Sequence, residues 1–121
     1  FDDIDAANLI EEIEATGASE RRELTNRLTV LLMHLLKWQF QPARRGAAWS
    51  LTIRVQRMDI SDLLNDEPGL KPEVPQALEK AYRKARLLAA NETGMDETTF
   101  PKQSPYSIEQ TMADDFLPEG N

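Results

Sequence analysis

Between Leu28 and Trp38 the chain reads LTVLLMHLLKW, and only Thr29, His34 and Lys37 interrupt its apolar side chains. Wound into a helix, the run is apolar around nearly its whole circumference, the pattern of a helix enclosed by other protein. It is far shorter than the about 20 residues needed to cross a bilayer. The spacing therefore predicts a buried core helix on which the rest of the chain packs.

The apolar register extends well beyond that run. Ile10, Gly17, Leu24, Leu31 and Trp38 recur at a constant heptad interval, with Ile13, Leu28 and Leu35 beside them. A break at Gly17 would reset the phase, and none is seen, so the favoured reading is one helix of about 35 residues from Asp5 to Phe40, roughly 50 Å long. The alternative is two helices, with Gly17 closing the first and Ser19 capping the second. Pro42 and Gly46 then bracket a connection, QFQPARRGA. Trp49, Ile53, Ile60 and Leu64 predict a second helix, about Ala47 to Asn65, running antiparallel to the first. NDEPGLKPEVP ends it, and Pro72 or Pro75 opens a third helix, whose apolar stripe from Val74 to Ala89 stops at Gly94. Its alanines suit close approach to a neighbour. Beyond Gly94 the chain is polar and punctuated by proline, apart from a short helix expected from Ile108 to about Ala113, where Ser107 and Gln110 form a capping box. The fold class expected is all-α: a single domain over residues 1–121, with a long central helix, two shorter helices packed on it and a mostly irregular C-terminal arm.

At 121 residues, with 40% hydrophobic and 29% charged residues, the chain can bury one substantial core. It has no cysteine, which removes disulfides, thiolate catalysis and Cys-based metal sites, and a reducing, cytoplasmic compartment fits. It begins at Phe1, and the expectation is that a further N-terminal segment belongs to the full-length protein. Neither a signal segment nor a membrane span is visible. The net charge of −7 is unevenly spread: residues 1–20 carry acids and no base, residues 21–58 carry Arg and Lys against Glu23 alone, and residues 59–121 are acidic again. The zones come to about −7, +7 and −7. A basic middle between acidic ends suits pairing within or between chains better than nucleic-acid binding, because an acidic protein repels nucleic acid at long range.

Several stretches resemble a known family. NLIEEIEATG, SERREL, RLTVLLMHLLKWQFQP, the Trp49 to Ile53 segment and FPKQSPYSIEQTMADDFLP are similar to the bacterial domain-of-unknown-function family twenty-nine, common in cyanobacteria and proteobacteria. GAAWS stands where members more often have a serine before the tryptophan, and EPGL where PSL is usual. The resemblance implies an all-helical domain with no established activity and no catalytic residues to carry over.

Candidate sites are few. His34, the one histidine, lies on the helical wheel near Glu20 and Arg27, and an antiparallel second helix brings Arg57 or Gln56 toward them. Glu20, Arg27, His34 and Arg57 are thus a candidate polar pocket, against the plainer reading of a core network with Glu23 and Arg27 paired at i, i+4. No metal site is expected, since the positions a helical turn from His34 are Val30, Leu31, Lys37 and Trp38, none a metal ligand. No catalytic residue and no cofactor is assigned. Arg44 and Arg45 beside Trp49 are a candidate basic and aromatic contact for a phosphate or a base. The leading functional reading is a non-enzymatic protein-interaction or regulatory module. A nucleic-acid-associated protein using the basic 21–58 zone comes second, and an enzyme with a site near His34 third. The partner expected is another protein or a second copy of the chain, in a two-fold homodimer through the apolar face of Leu9, Ile10 and Ile13, with no membrane involved.

Overall fold

A computed structural model describes residues 3–119, with side chains from Gly17 onward. Four α-helices and three short 3-10 turns make up the fold, and no strand occurs among the described residues. Helix α1 runs unbroken from Asp3 to Phe40, α2 from Ala47 to Asp66, α3 from Val74 to Thr93 and α4 from Ile108 to Met112. The single-helix reading of the N-terminal half therefore holds. Gly17 lies within α1, where a β-carbon would meet only the flexible end of Arg21, at 3.3 Å.

Paired residues along the axes give the topology. Arg27 meets Asp59 and Lys37 meets Trp49, so α2 is antiparallel to α1. Arg21 meets Glu73 and Lys37 meets Glu92, so α3 runs parallel to α1. The six-residue 3-10 segment Pro68–Glu73 makes the return between α2 and α3. Sequence reading treats that stretch as plain connection. It winds because Pro68 presets the first helical dihedral and Leu70, buried at 5% exposure, anchors the turn to the core.

Burial on α1 follows the two neighbours. Leu24, Leu28, Leu31, Leu32, Leu35 and Leu36 are all at most 1% exposed, and so are Ile53 and Ile60 of α2. Ala77, Ala81, Ala85 and Ala89 of α3 are buried on successive turns of one face, and their small side chains admit the α1 leucines at close range. The enclosure is less complete than the run of apolar residues implies. Val30, Met33, His34 and Trp38 are only half-buried, since two helices cover two flanks of α1 and leave a third. Thr29 is buried, and its hydroxyl donates to the Thr25 carbonyl at 2.7 Å, which satisfies it within the helix.

The ends of the elements are set by local chemistry. Gly94 adopts φ 72°, a left-handed conformation that closes α3 with its N–H on the Ala90 carbonyl. Both reciprocal bonds of the Ser107 and Gln110 capping box are formed, each at 3.0 Å, and they start α4. The arm beyond α3 is irregular, as expected, but it is held in place. Phe100 stacks edge-on against Phe40 with centroids 5.0 Å apart, and Tyr106 places its hydroxyl 2.6 Å from Gln39 Oε1.

Leu31 sits at the centre of this arrangement. Leu31→Ala is expected to lower stability by about 2–5 kcal/mol, from lost transfer free energy plus the cavity left behind. Urea unfolding followed by circular dichroism measures it, and a loss near zero would place the core elsewhere.

Candidate functional site

The four residues of the proposed polar pocket end up in separate environments. Arg27 donates from Nη1 to Asp59 Oδ2 at 2.9 Å, and its Nη2 stands 3.7 Å from Glu23. Arg57, 3% exposed, turns to the C-terminal arm instead: its Nε donates to the Thr111 carbonyl at 2.9 Å and its Nη2 to the Gln110 carbonyl at 3.2 Å. Burial lowers the pKa of that guanidinium from its ordinary value, and Asp114 and Asp115 work in the opposite direction. Glu20 lies at the far end of α2, where partial burial and the facing carboxyl of Glu67 raise its pKa above the ordinary value. The separation follows from the helix period: α2 shows Gln56 and Asp59 to Arg27, and a rotation of one residue sends Arg57 to the other flank.

His34 is anchored by its own helix. Its Nδ1 lies 2.8 Å from the Val30 carbonyl, which only accepts, so Nδ1 carries the proton and Nε2 is left as the acceptor. Burial lowers its pKa below 6.5, the Val30 hydrogen bond opposes that shift, Lys37 adds to it, and Glu92 opposes it. The ring is therefore neutral at physiological pH. Near it Lys37 joins all three long helices: its Nζ sits 4.9 Å from the centroid of the Trp49 ring and 3.2 Å from Glu92 Oε2.

The basic and aromatic contact is rearranged rather than absent. Trp49 receives Lys37, while Arg45 caps the other tryptophan, donating from Nε to the Trp38 carbonyl at 2.6 Å with its guanidinium 5.3 Å from the Trp38 ring centroid. Arg44 is exposed at the end of the short Pro42–Arg44 turn. Arg44, Arg45 and Trp49 thus do not converge on one point.

Along α1, two clefts bring polar groups together. One, of about 470 Å³, runs along α1 and α2 and is lined by Glu23, Arg27 and Gln56. Arg27 Nε and Gln56 Oε1, a donor and an acceptor, are buried there without a partner among the described residues. The other, of about 520 Å³, lies between α1 and α3 and gathers Arg21, Arg22, Lys80 and Lys84 around Asn26 and Gln76, with Glu73 as its one acid. Sequence reading missed this second cleft. Lys80 and Lys84 lie in the acidic C-terminal zone by sequence, and their i, i+4 spacing was the only available hint that they share a face.

Among the described residues no cluster of three or more His, Cys, Asp or Glu could hold a metal ion, and no helix is long and apolar enough to cross a membrane. The protein is thus an all-α domain, a three-helix bundle with an arm strapped across it. It belongs to the family described as Domain of unknown function DUF29, whose model matches residues 1–117. No curated protein and no solved structure matches the chain.

The environment of His34 gives a pH dependence. Because its folded pKa lies below the unfolded value of about 6.5, the unfolded chain takes up the proton first, and stability present above that pH is lost as pH falls through the range. His34→Gln should therefore flatten the decline of stability between about pH 7 and pH 5 relative to the native chain. Urea midpoints measured across that range test it, and parallel curves for the two proteins would contradict it.

Proposed function

We propose that this domain is a non-enzymatic protein-interaction module whose projecting α1 segment engages a partner. The observation that supports this reading is one of length and position. Glu20 faces Glu67 at the end of α2, and Arg21 meets Glu73 just before α3 begins, so residues 3–19 of α1 continue past the level at which its two helical neighbours stop. That is roughly 25 Å of helix at 1.5 Å per residue. Its sequence is acidic, with Asp3, Asp5, Glu11, Glu12 and Glu14 and no base, and it retains apolar positions at Leu9, Ile10 and Ile13. The side chains of these residues lie outside the described region, and so does the two-fold face expected at Leu9, Ile10 and Ile13. A helix of this composition suits a partner that offers an apolar groove with a basic rim.

Affinity capture with the full chain from the source cell, followed by mass spectrometry, tests the reading. A variant with Asp3, Asp5, Glu11, Glu12 and Glu14 changed to Asn or Gln is expected to lose the partners that the native chain retains. Equal recovery by both proteins would remove the acidic segment from the interaction.

The α1/α3 cleft favours a second reading, a nucleic-acid-associated protein, because it adds Lys80 and Lys84 to Arg21 and Arg22 of the basic zone. With a net charge of −7 the expectation is no detectable binding of generic DNA or RNA at physiological salt, where nonspecific binders already sit near about 10⁻⁴ to 10⁻⁶ M. Fluorescence anisotropy with labelled oligonucleotides checks it. Micromolar binding that weakens steeply with salt, and again in Lys80→Ala or Lys84→Ala, would place this reading first.

A further inference from the structure

On the outer side of α2, away from Ile53 and Ile60, Leu51, Val55 and Met58 are 52%, 50% and 64% exposed. Single exposed apolar residues are ordinary on a protein surface. These three are not scattered. With Ala48 before them and Asp62 after them they alternate at intervals of three and four residues, the spacing of a coiled-coil seam. A bundle helix should be polar on its outward face, and α2 instead carries an apolar stripe there among its exposed charges.

The exposed charges along α2 are also ordered. Arg44 lies just before the helix and Arg54 in its first half, while Asp62, Asp66 and Glu67 gather at its end. A helix that is basic at one end and acidic at the other complements a copy of itself turned end for end. We propose that this face is the seam of an antiparallel two-fold homodimer, with α2 packed on α2 of a second copy. A two-fold axis at the level of Ile53 sets Leu51 opposite Val55 and Ala48 opposite Met58, small against large. The same arrangement brings the acidic Asp62 end of one α2 to the partner's Gly46 end, near the 3-10 turn in which Arg44 lies exposed. Parallel pairing would set Asp62 on Asp62, Asp66 on Asp66 and Arg44 on Arg44, so charge selects the antiparallel form. The surface is its own partner, as a two-fold interface requires. It lies on a different element from the projecting part of α1 and does not rest on that segment binding anything.

The seam is short. Two helices of this length touch along about 30 Å, which keeps the interface at the small end, near or below about 1,200 Å² in total, the size of weak and transient contacts.

Sedimentation equilibrium of the full chain up to about 100 µM is the test. A monomer–dimer equilibrium is expected, and Val55→Asp should give a monomer with unchanged helical circular dichroism, because position 55 faces outward. Arg44→Asp and Asp62→Arg should each weaken the dimer several-fold, and the double reversal should restore most of the lost affinity. Three results would overturn the proposal: a monomer at every concentration, which would leave this face to a different protein or to none; a dimer abolished by Ile10→Asp but untouched by Val55→Asp; or a double reversal no tighter than the single ones.

Discussion

Burial of one leucine face of α1 is the interaction on which the rest of the molecule depends. Leu24, Leu28, Leu31, Leu32, Leu35 and Leu36 together present a stripe too wide for one neighbouring helix to cover. Two helices are needed, and α2 and α3 take opposite flanks of that stripe. Each leucine moved fully out of water contributes on the order of 1.5–3 kcal/mol, against a backbone ordering cost of about 1–2 kcal/mol per residue. The margin therefore depends on packing density. The buried alanines of α3 supply it, because a helix lined with small side chains lets its axis come close enough for leucines to fill the gap.

The C-terminal arm lies against α2 and α3 and reaches α1 at Leu35, Gln39 and Phe40; it has little regular structure and so must find partners for its backbone elsewhere. Buried and half-buried side chains of the bundle provide them. Arg57 donates to the carbonyls of Thr111 and Gln110, Arg86 to that of Phe100 at 3.1 Å, and the Tyr82 hydroxyl to that of Pro101 at 2.5 Å. Burial pushes the Tyr82 phenol up to about 12, with Arg86 opposing, and it pushes Tyr106 up as well. Both hydroxyls therefore keep their protons over the whole physiological range and remain donors. Phe100, Tyr106 and Phe116 add apolar contacts at intervals, with Tyr106 and Phe116 edge-on at 6.0 Å.

That arrangement decides which surfaces are left for partners. The arm occupies Arg57 and covers the Leu35 and Phe40 end of α1, while the outer face of α2 and the α1/α3 cleft stay open. The polar groups near His34 are drawn into structural contacts: Arg27 with Asp59 and Glu23, Lys37 with Trp49 and Glu92, and the histidine Nδ1 with its own helix.

Periodicity and punctuation determined the elements. The heptad phase through Gly17 favoured one continuous α1 over two helices, Gly94 marked the end of α3, and Ser107 with Gln110 the start of α4, because each rests on bonds between residues close in sequence. The core leucines were legible for the same reason. What only the tertiary structure decided is the direction in which long side chains turn once two helices are set at a particular rotation. Sequence spacing placed Arg57 with His34 and Arg27, and it set Arg45 beside Trp49; a rotation of one residue in α2 gives Arg57 to the arm and leaves Gln56 and Asp59 facing Arg27, while the turn before α2 folds Arg45 onto Trp38. The gathering of Lys80 and Lys84 with Arg21 and Arg22 was equally hidden, since it depends on α3 returning parallel to α1 across the Pro68–Glu73 turn. Local bonds are written along the chain, whereas contacts between separate elements depend on angles that no local rule fixes.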